Sequence, residues 1–447
     1  MEDRFSRRDL LRIFGAGAAV SSASYFSLNQ KAYADLAETK GAKRGTVYDG
    51  KDAVPCQIKD GKIFRPAADV PTIESTDVLV LGAGPAGCCA AIAAARAGVK
   101  VLLVERYNHF GGLATGGLVL TILGHWTKGK VQVCQGLGEE MMQRLEKMPY
   151  GIAGRDPGRN PAVDAEAYKY LLLEMITEAG VNVYLHSWAT DAIVDGNVVK
   201  GAVIQTKLGP KAILAKQVID TTGDGDIFAS AGVVFDRRDY HIGLPHRLAD
   251  FPDLKGKKKP RNYGGFTPIE NIRWVNMGGK TTDGLDAKIL SDLEIEYRKK
   301  IWADYIKLRS EPGFENVKMI ETAPQLGVRI TRVLKGVVEL TVKGVYENQT
   351  FEDCVGIGGA WHGDHQGWQI PLRALLPEKT ENLLTAGRTI SSEPRMSDLI
   401  RVIPNCWVSG QGAGCAAACA VEQNTTVRNV DIKKVQTLLK KQNVYFG

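Results

Sequence analysis

The sequence predicts an α/β protein, a Rossmann-like nucleotide-binding domain with an α+β segment inserted into it. Three observations predict it. Val78-Leu79-Val80-Leu81 reads as a short buried strand; Gly82-Ala83-Gly84-Pro85-Ala86-Gly87 follows at once and opens an Ala-rich helix expected over 88–97; and a second apolar run, 99–104, ends at Glu105. Strand, glycine turn, helix and strand make a βαβ unit. Gly82 permits the tight turn, Gly84 lets the backbone approach a pyrophosphate, and Gly87 lets helix and strand pack closely. The helix N-terminus adds amide donors and the positive end of a dipole. Glu105, about 20 residues on, is placed to accept from ribose hydroxyls.

A chain of 447 residues, 44% hydrophobic and 24% charged, can bury a large core and does not read as disordered. Ser6-Arg7-Arg8-Asp9-Leu10-Leu11, the small-residue apolar run from Ile13 to Phe26, and Ala32-Tyr33-Ala34 together have the layout of a twin-arginine signal peptide. The expectation is cleavage after Ala34 and a periplasmic or extracytoplasmic protein; the competing reading is a short amphipathic helix kept on a cytoplasmic one. No later segment holds the roughly 18 apolar residues of a membrane span. Net charge is a mild +7, and the one dense basic run, 255–261, lacks interleaved aromatics, so it reads as a solvated loop and no nucleic-acid partner is expected. The eight cysteines form no CxxC pair, which excludes thioredoxin-like chemistry, zinc ribbons and iron–sulfur clusters, and no metal site is expected.

The expected organisation is a signal over 1–34, an arm over 35–74 with a hairpin about Asp60-Gly61, a first part of the nucleotide domain over 75–234, a substrate or cap domain over 235–369, a return to the nucleotide domain over 370–430, and a tail over 431–447. Period and composition predict helices over 165–179, 286–307 and 410–421. Strands are expected over 181–185, 189–194, 198–206, 211–220, 330–334, 336–342 and 382–386.

A second glycine turn follows Arg106 at Phe110-Gly111-Gly112-Leu113-Ala114-Thr115-Gly116-Gly117. With the first motif it resembles the FAD-dependent oxidoreductases of the glutathione-reductase-like superfamily. Thr222-Gly223-Asp224-Gly225-Asp226 resembles that family's second flavin motif, and Gly327-Val328-Arg329 through Arg332 its GxRxxR strand. Ile370-Pro371-Leu372-Arg373, Ala386-Gly387-Arg388 and Gly410-Gln411-Gly412-Ala413-Gly414 match as well. The resemblance spans 76–421 and implies FAD as cofactor. It implies cofactor contacts from Gly82, Gly84, Pro85, Ala86, Gly87, Glu105, Arg106, Gly112, Leu113 and Thr115, from Gly223 and Asp224, and from Gly387, Arg388, Gln411 and Gly412. A helix N-terminus there approaches the isoalloxazine and stabilises its negative charge on reduction.

For proton handling the candidates are His362 and His365, two of only seven histidines, set between Trp361 and Trp368. A histidine titrates near neutral pH and can take the proton that accompanies hydride loss; a structural turn is the competing reading. Arg401 can neutralise a substrate carboxylate or the reduced flavin, or serve a structural ion pair. His109, beside Gly111, is a candidate covalent flavin anchor, and His125 and Trp126 are candidate pocket walls. The chain has one GxGxxG, hence no second nucleotide domain. The expectation is therefore a dehydrogenase or reductase acting on a small molecule, with a quinone or cytochrome as electron partner. A flavin oxidase or monooxygenase using oxygen, and a non-catalytic electron-transfer subunit, remain alternatives.

Overall fold

The computed structural model describes residues 55–127, 129–254, 259–260, 263–359 and 366–447. The expected signal peptide, His362, His365 and most of the basic run lie outside these residues. Along the chain come strands β1 (Gln57–Lys59), β2 (Lys62–Phe64) and β3 (Thr72–Leu81), helix α1 (Pro85–Arg96), strand β4 (Val101–Val104) and helices α2 (Leu137–Glu146) and α3 (Ala165–Glu178). Strands β5 (Asn182–Tyr184), β6 (Trp188–Asp195), β7 (Val198–Thr206) and β8 (Gly209–Asp220) follow. Next are β9 (His246–Ala249), β10 (Ile272–Val275), α4 (Ala287–Arg309), β11 (Lys318–Thr322), β12 (Cys354–Gly358), β13 (Trp368–Pro371), β14 (Leu383–Thr385), α5 (Ile403–Glu422) and α6 (Ile432–Lys441).

The first hairpin closes through Asp60 (φ 51°) and Gly61 (φ 72°), the pair of left-handed residues that suits the twist of a two-residue turn. The central sheet runs β5-β4-β3-β8 with every strand parallel, and β14 continues it, pairing parallel with the end of β8 through Val218, Ile219 and Asp220. The start of β8 pairs antiparallel with β7, and β7 with β6, so one long strand serves both a parallel layer and an antiparallel meander. Alternate residues of β3 feed opposite cores. Val78 and Val80 join the helices α1, α3 and α5, whereas Leu79 and Leu81 join Val199, Ile204 and Phe228 on the meander side. Burial on both faces explains why this strand is a continuous apolar run.

Helix α5 begins at Ile403, seven residues before the expected start at 410, because Val402 is extended and Pro404 sits in the first turn, where its missing N–H costs nothing. The glycines that suggested a helix start are mid-helix contact points. A Cβ at Gly410 would collide with the carbonyl of Ala86, and one at Gly414 with that of Ala90, so the two small-residue helices α1 and α5 cross with their backbones nearly touching. No strand forms over 336–342. Gly336 and Leu340 make single bridges, and Thr341 caps a short helix, Val342–Tyr346, by accepting from the Gly344 N–H at 3.0 Å. The expected strand over 330–334 is confined to Arg332–Leu334.

Residues 246–322 build a separate antiparallel sheet, ordered from a short strand at Gly265–Phe266 through β10 and β9 to β11. Helix α4 packs Leu293, Tyr297 and Ile301 against Leu118, Leu120 and Ile242, and Tyr305 and Leu308 against Leu248 and Val317. Asp286 caps α4 by accepting from the N–H groups of Lys288 and Ile289. All eight cysteines are free thiols, Cys56 exposed and the rest buried. Among the described residues no helix is long and apolar enough to cross a membrane.

Candidate functional site

A cavity of about 560 Å³ opens where β3, β4 and β8 end and extends to the first turn of α5 and to residues of the 243–329 region. The C-terminal edge of a parallel sheet is where such folds bind ligands, because the crossovers leave a crevice there. Helix α1 starts at the edge of this crevice. Gly84 is its N-cap, Pro85 follows, and neither a capping side chain nor an acidic first-turn residue takes up its amide donors. Such a helix end is an anion site.

The glycines shape it. Gly82 holds φ at 102°, and a Cβ there would lie 2.7 Å from the carbonyl carbon of Thr221. A Cβ on Gly87 would strike the carbonyl oxygen of Gly82, whereas one on Gly84 would meet nothing within 4 Å: Gly84 faces the open crevice and Gly87 the packed interior. Gly112, at φ 49°, brings the second glycine turn against the first, with its hypothetical Cβ 3.0 Å from the Gly84 Cα. Gly82, Gly84, Pro85, Ala86, Gly112 and Leu113 all line the cavity. Thr115 does not: fully buried, it donates its hydroxyl to the Phe110 carbonyl at 2.6 Å and so closes the second turn from behind.

Glu105 is nearly buried. Its Oε2 accepts from the Ala83 N–H at 2.6 Å and its Oε1 from the Tyr107 N–H at 2.9 Å, which fixes the carboxylate while each oxygen keeps a lone pair for a ligand hydroxyl. The Arg106 guanidinium lies 4.9 Å from the ring centre of Tyr107 and 5.1 Å from that of Trp188. Ser187 and Trp188 also line this end, where no motif in the sequence pointed to them.

Asp224 also lines the cavity, but its Oδ1 accepts from Arg388 Nη2 at 2.9 Å and from the Thr331 hydroxyl at 2.9 Å, and its Oδ2 lies 3.9 Å from Arg106. Burial pushes its carboxyl up, yet Arg388 and Arg106 outweigh burial and hold it below its ordinary value. It is thus first of all the counter-ion of two arginines. Arg388 is fixed further by donating from Nε to the Gly223 carbonyl at 2.6 Å, which draws Gly223, Asp224, Gly387 and Arg388 into one cluster. Asp220, fully buried four residues earlier, shifts the other way: burial pushes it up to about 6, against hydrogen bonds from the Phe228 N–H and from Thr222.

At the opposite end, Ala386, Gly387 and the first turn of α5 through Ile403 and Cys406 complete the wall. The start of α5 has no side-chain cap and no acidic residue, so its amide donors are unspent as well. Gln411 and Gly412 sit two turns farther along the helix, away from the cavity. Gln411 accepts from the Leu137 N–H at 3.0 Å, and a Cβ on Gly412 would press on Val355. With the helix starting earlier than expected, neither is among the residues that line the cavity. Arg401 lines the cavity; its Nε is 3.2 Å from Asp398 Oδ1, and its guanidinium lies 5.6 Å from the ring centre of Tyr240. Arg329, named in the sequence only as part of a motif, lines the cavity too. His125 is buried behind the wall, where burial pushes it down to about 4. His109 is held by Asn108, 2.8 Å from its Nδ1, and is not among the lining residues.

A family model described as FAD dependent oxidoreductase matches residues 77–243 and 234–439. The chain belongs to this family. It is 30% identical over 262 residues to a digeranylgeranylglycerophospholipid reductase of Picrophilus torridus, covering 55% of this chain and 64% of that one. It is 32% identical over 200 residues to the tRNA uridine 5-carboxymethylaminomethyl modification enzyme MnmG of Pelobacter propionicus, covering 40% of this chain and 28% of that one. The chain thus spans less than two thirds of these relatives' length. A solved structure of a geranylgeranyl bacteriochlorophyll reductase-like protein from Thermoplasma acidophilum shares 19% identity, with a TM-score of 0.48 over 83% of this chain and 82% of that one.

The protein is therefore an FAD-dependent oxidoreductase, and the cavity fits its cofactor. The unspent donors of α1 beside the side-chain-free Gly84 suit a pyrophosphate, Glu105 suits a ribose, and the unspent donors of α5 suit an electronegative ring edge.

Proposed function

We propose that this flavoprotein is a dehydrogenase or reductase that moves a hydride between a small organic substrate and flavin N5, with a quinone or cytochrome rather than a nicotinamide as its electron partner. The observation that carries the reading is the continuity of the cavity. Beyond Gly387 and Ile403 it runs on to Thr121, Leu123, Trp274, Asn276, Leu290 and Leu326, an apolar wall with a few polar groups, so substrate space adjoins the cofactor site. Residues 235–369 act as the cap that supplies most of this wall, with Thr121 and Leu123 completing it. FAD bound in the cavity supplies the two-electron chemistry. The chain's own work is to hold FAD at the two helix ends, to exclude water with the apolar wall, and to place Arg401, steadied by Asp398, beside the substrate. His362 and His365 are the proposed proton acceptors. The single GxGxxG supports an electron partner other than a second bound nucleotide.

The test is spectroscopic. The purified protein is expected to show flavin bands that pass to the supernatant on acid precipitation, to bleach anaerobically with its substrate, and to be reoxidised by a quinone faster than by air. Rapid reoxidation by oxygen alone would make it an oxidase instead. We also propose export by the twin-arginine route; Arg7→Lys with Arg8→Lys should hold the protein in the cytoplasm, and unchanged fractionation would reject this.

A further inference from the structure

Among the arginines that line the cavity, charge pairing has one exception. Asp224 answers Arg106 and Arg388, Asp226 answers Arg332 at 2.9 Å, Glu294 answers Arg298 at 3.0 Å, and Arg401 has Asp398. Arg329 lines the same cavity, half-buried, and no carboxylate among the described residues lies within ion-pair distance of it. Its charge environment is unfavourable: burial, and then the like charge of Arg401, pull its guanidinium below its ordinary value, while Tyr240 and Asp398 work weakly in the other direction. A half-buried arginine placed beside a second arginine is costly unless something anionic arrives to pair with it.

From this we infer that the substrate is an organic carboxylate with an apolar body, its carboxylate held between Arg329 and Arg401 and its body against Trp274, Leu290, Leu326 and Val328. Arg329 follows the short strand Gly327–Val328, which pairs with Ile242 and Gly243, so it is delivered from the capping region and not from the nucleotide loops. That side of the cavity is where a substrate enters. The start of α5 would serve the negative edge of the cofactor and the start of α1 its pyrophosphate, so neither would need this guanidinium. The Arg329 guanidinium offers forked donors that match the two oxygens of a carboxylate, Arg401 adds positive charge while its Nε serves Asp398, and the hydrocarbon wall beside them rewards an apolar body but not a small hydrophilic acid.

This inference rests on the proposed substrate side of the cavity, and its test separates the two. The FAD-loaded protein is titrated with benzoate and octanoate, and in parallel with benzamide and octanamide, following the flavin absorbance. The carboxylates are expected to perturb the spectrum and to bind at least about tenfold more tightly than their amides. Arg329→Gln should erase that preference with flavin content unchanged, and Arg329→Lys should keep part of it. Equal affinity for acid and amide, no binding of any carboxylate, or an undiminished preference in Arg329→Gln would overturn the inference. So would a variant whose flavin midpoint potential moves while probe affinity stays the same, since Arg329 would then serve the cofactor. A protein that holds no flavin overturns the oxidoreductase mechanism as well; the other failures leave that mechanism standing.

Discussion

The two ends of the cavity are built on different principles. At the nucleotide end, recognition is made by backbone: glycines without side chains, amides at the start of α1, and a carboxylate, Glu105, tied down by two N–H groups. Charged side chains there are paired among themselves before any ligand arrives, as in the Arg106–Asp224–Arg388 cluster. At the end proposed to take the substrate, the wall is made of side chains, and no carboxylate among the described residues pairs with Arg329. A backbone-built site tolerates almost no substitution but binds one cofactor; a side-chain-built site can be re-specified by changing one or two residues.

The largest expected effect is at the backbone end. Gly82→Val forces a branched residue to a φ of 102° against the Thr221 carbonyl and should cost at least about 3 kcal/mol and leave the protein without flavin. Normal flavin absorbance in that variant would break the comparison. Asp224→Asn comes next. It removes the carboxylate shared by the half-buried Arg388 and Arg106, so denaturation of the holoprotein should report a loss of about 3 kcal/mol, largely recovered when Arg388→Gln is added. A loss that adds without recovery would show that the cluster is not one unit.

A pH effect should follow from the contrast between Asp220 and Asp224. Asp220, pushed up to about 6 from 3.8, holds a proton in the folded state that the unfolded chain gives up earlier. Its contribution therefore favours the fold most below pH 3.8 and declines as pH rises to about 6, then levels off. Asp224, held below 3.8, does the opposite: its contribution is complete above 3.8 and is lost as pH falls through its lower folded value. Denaturation at a series of pH values should show a flatter profile for Asp220→Asn between 3.8 and about 6 than for the wild type; identical slopes would remove Asp220 from the account. The smallest effect is expected for Thr115→Val, which deletes a buried hydrogen bond to Phe110 and should cost about 1 kcal/mol while flavin content stays normal. Loss of flavin there would return Thr115 to the cofactor.

Much of the cofactor end was legible in the sequence because its causes are local. A buried strand, a turn that only glycine can make, a helix and a following acid all lie within about 25 residues, and each leaves a compositional trace. The same locality explains the accuracy at β7, read as 198–206 and found at Val198–Thr206. It also explains the misreadings. Gly410, Gly412 and Gly414 look like a helix start when taken alone; their smallness is demanded by α1 and Val355, which are more than 50 residues away in the chain.

The sequence by itself thus determined the strand–glycine turn–helix unit suited to a dinucleotide, since that rests on short-range backbone geometry, and its family resemblance implied FAD. Tertiary structure decided which charged side chains are already spent. Asp224 and Arg329 look alike as single ionisable residues in short glycine-containing motifs, but one is surrounded by Arg106, Arg388 and Thr331 and the other by a second cation and weaker neighbours. Whether a buried charge is satisfied depends on what the fold brings within about 4 Å of it, and no periodicity along the chain records that.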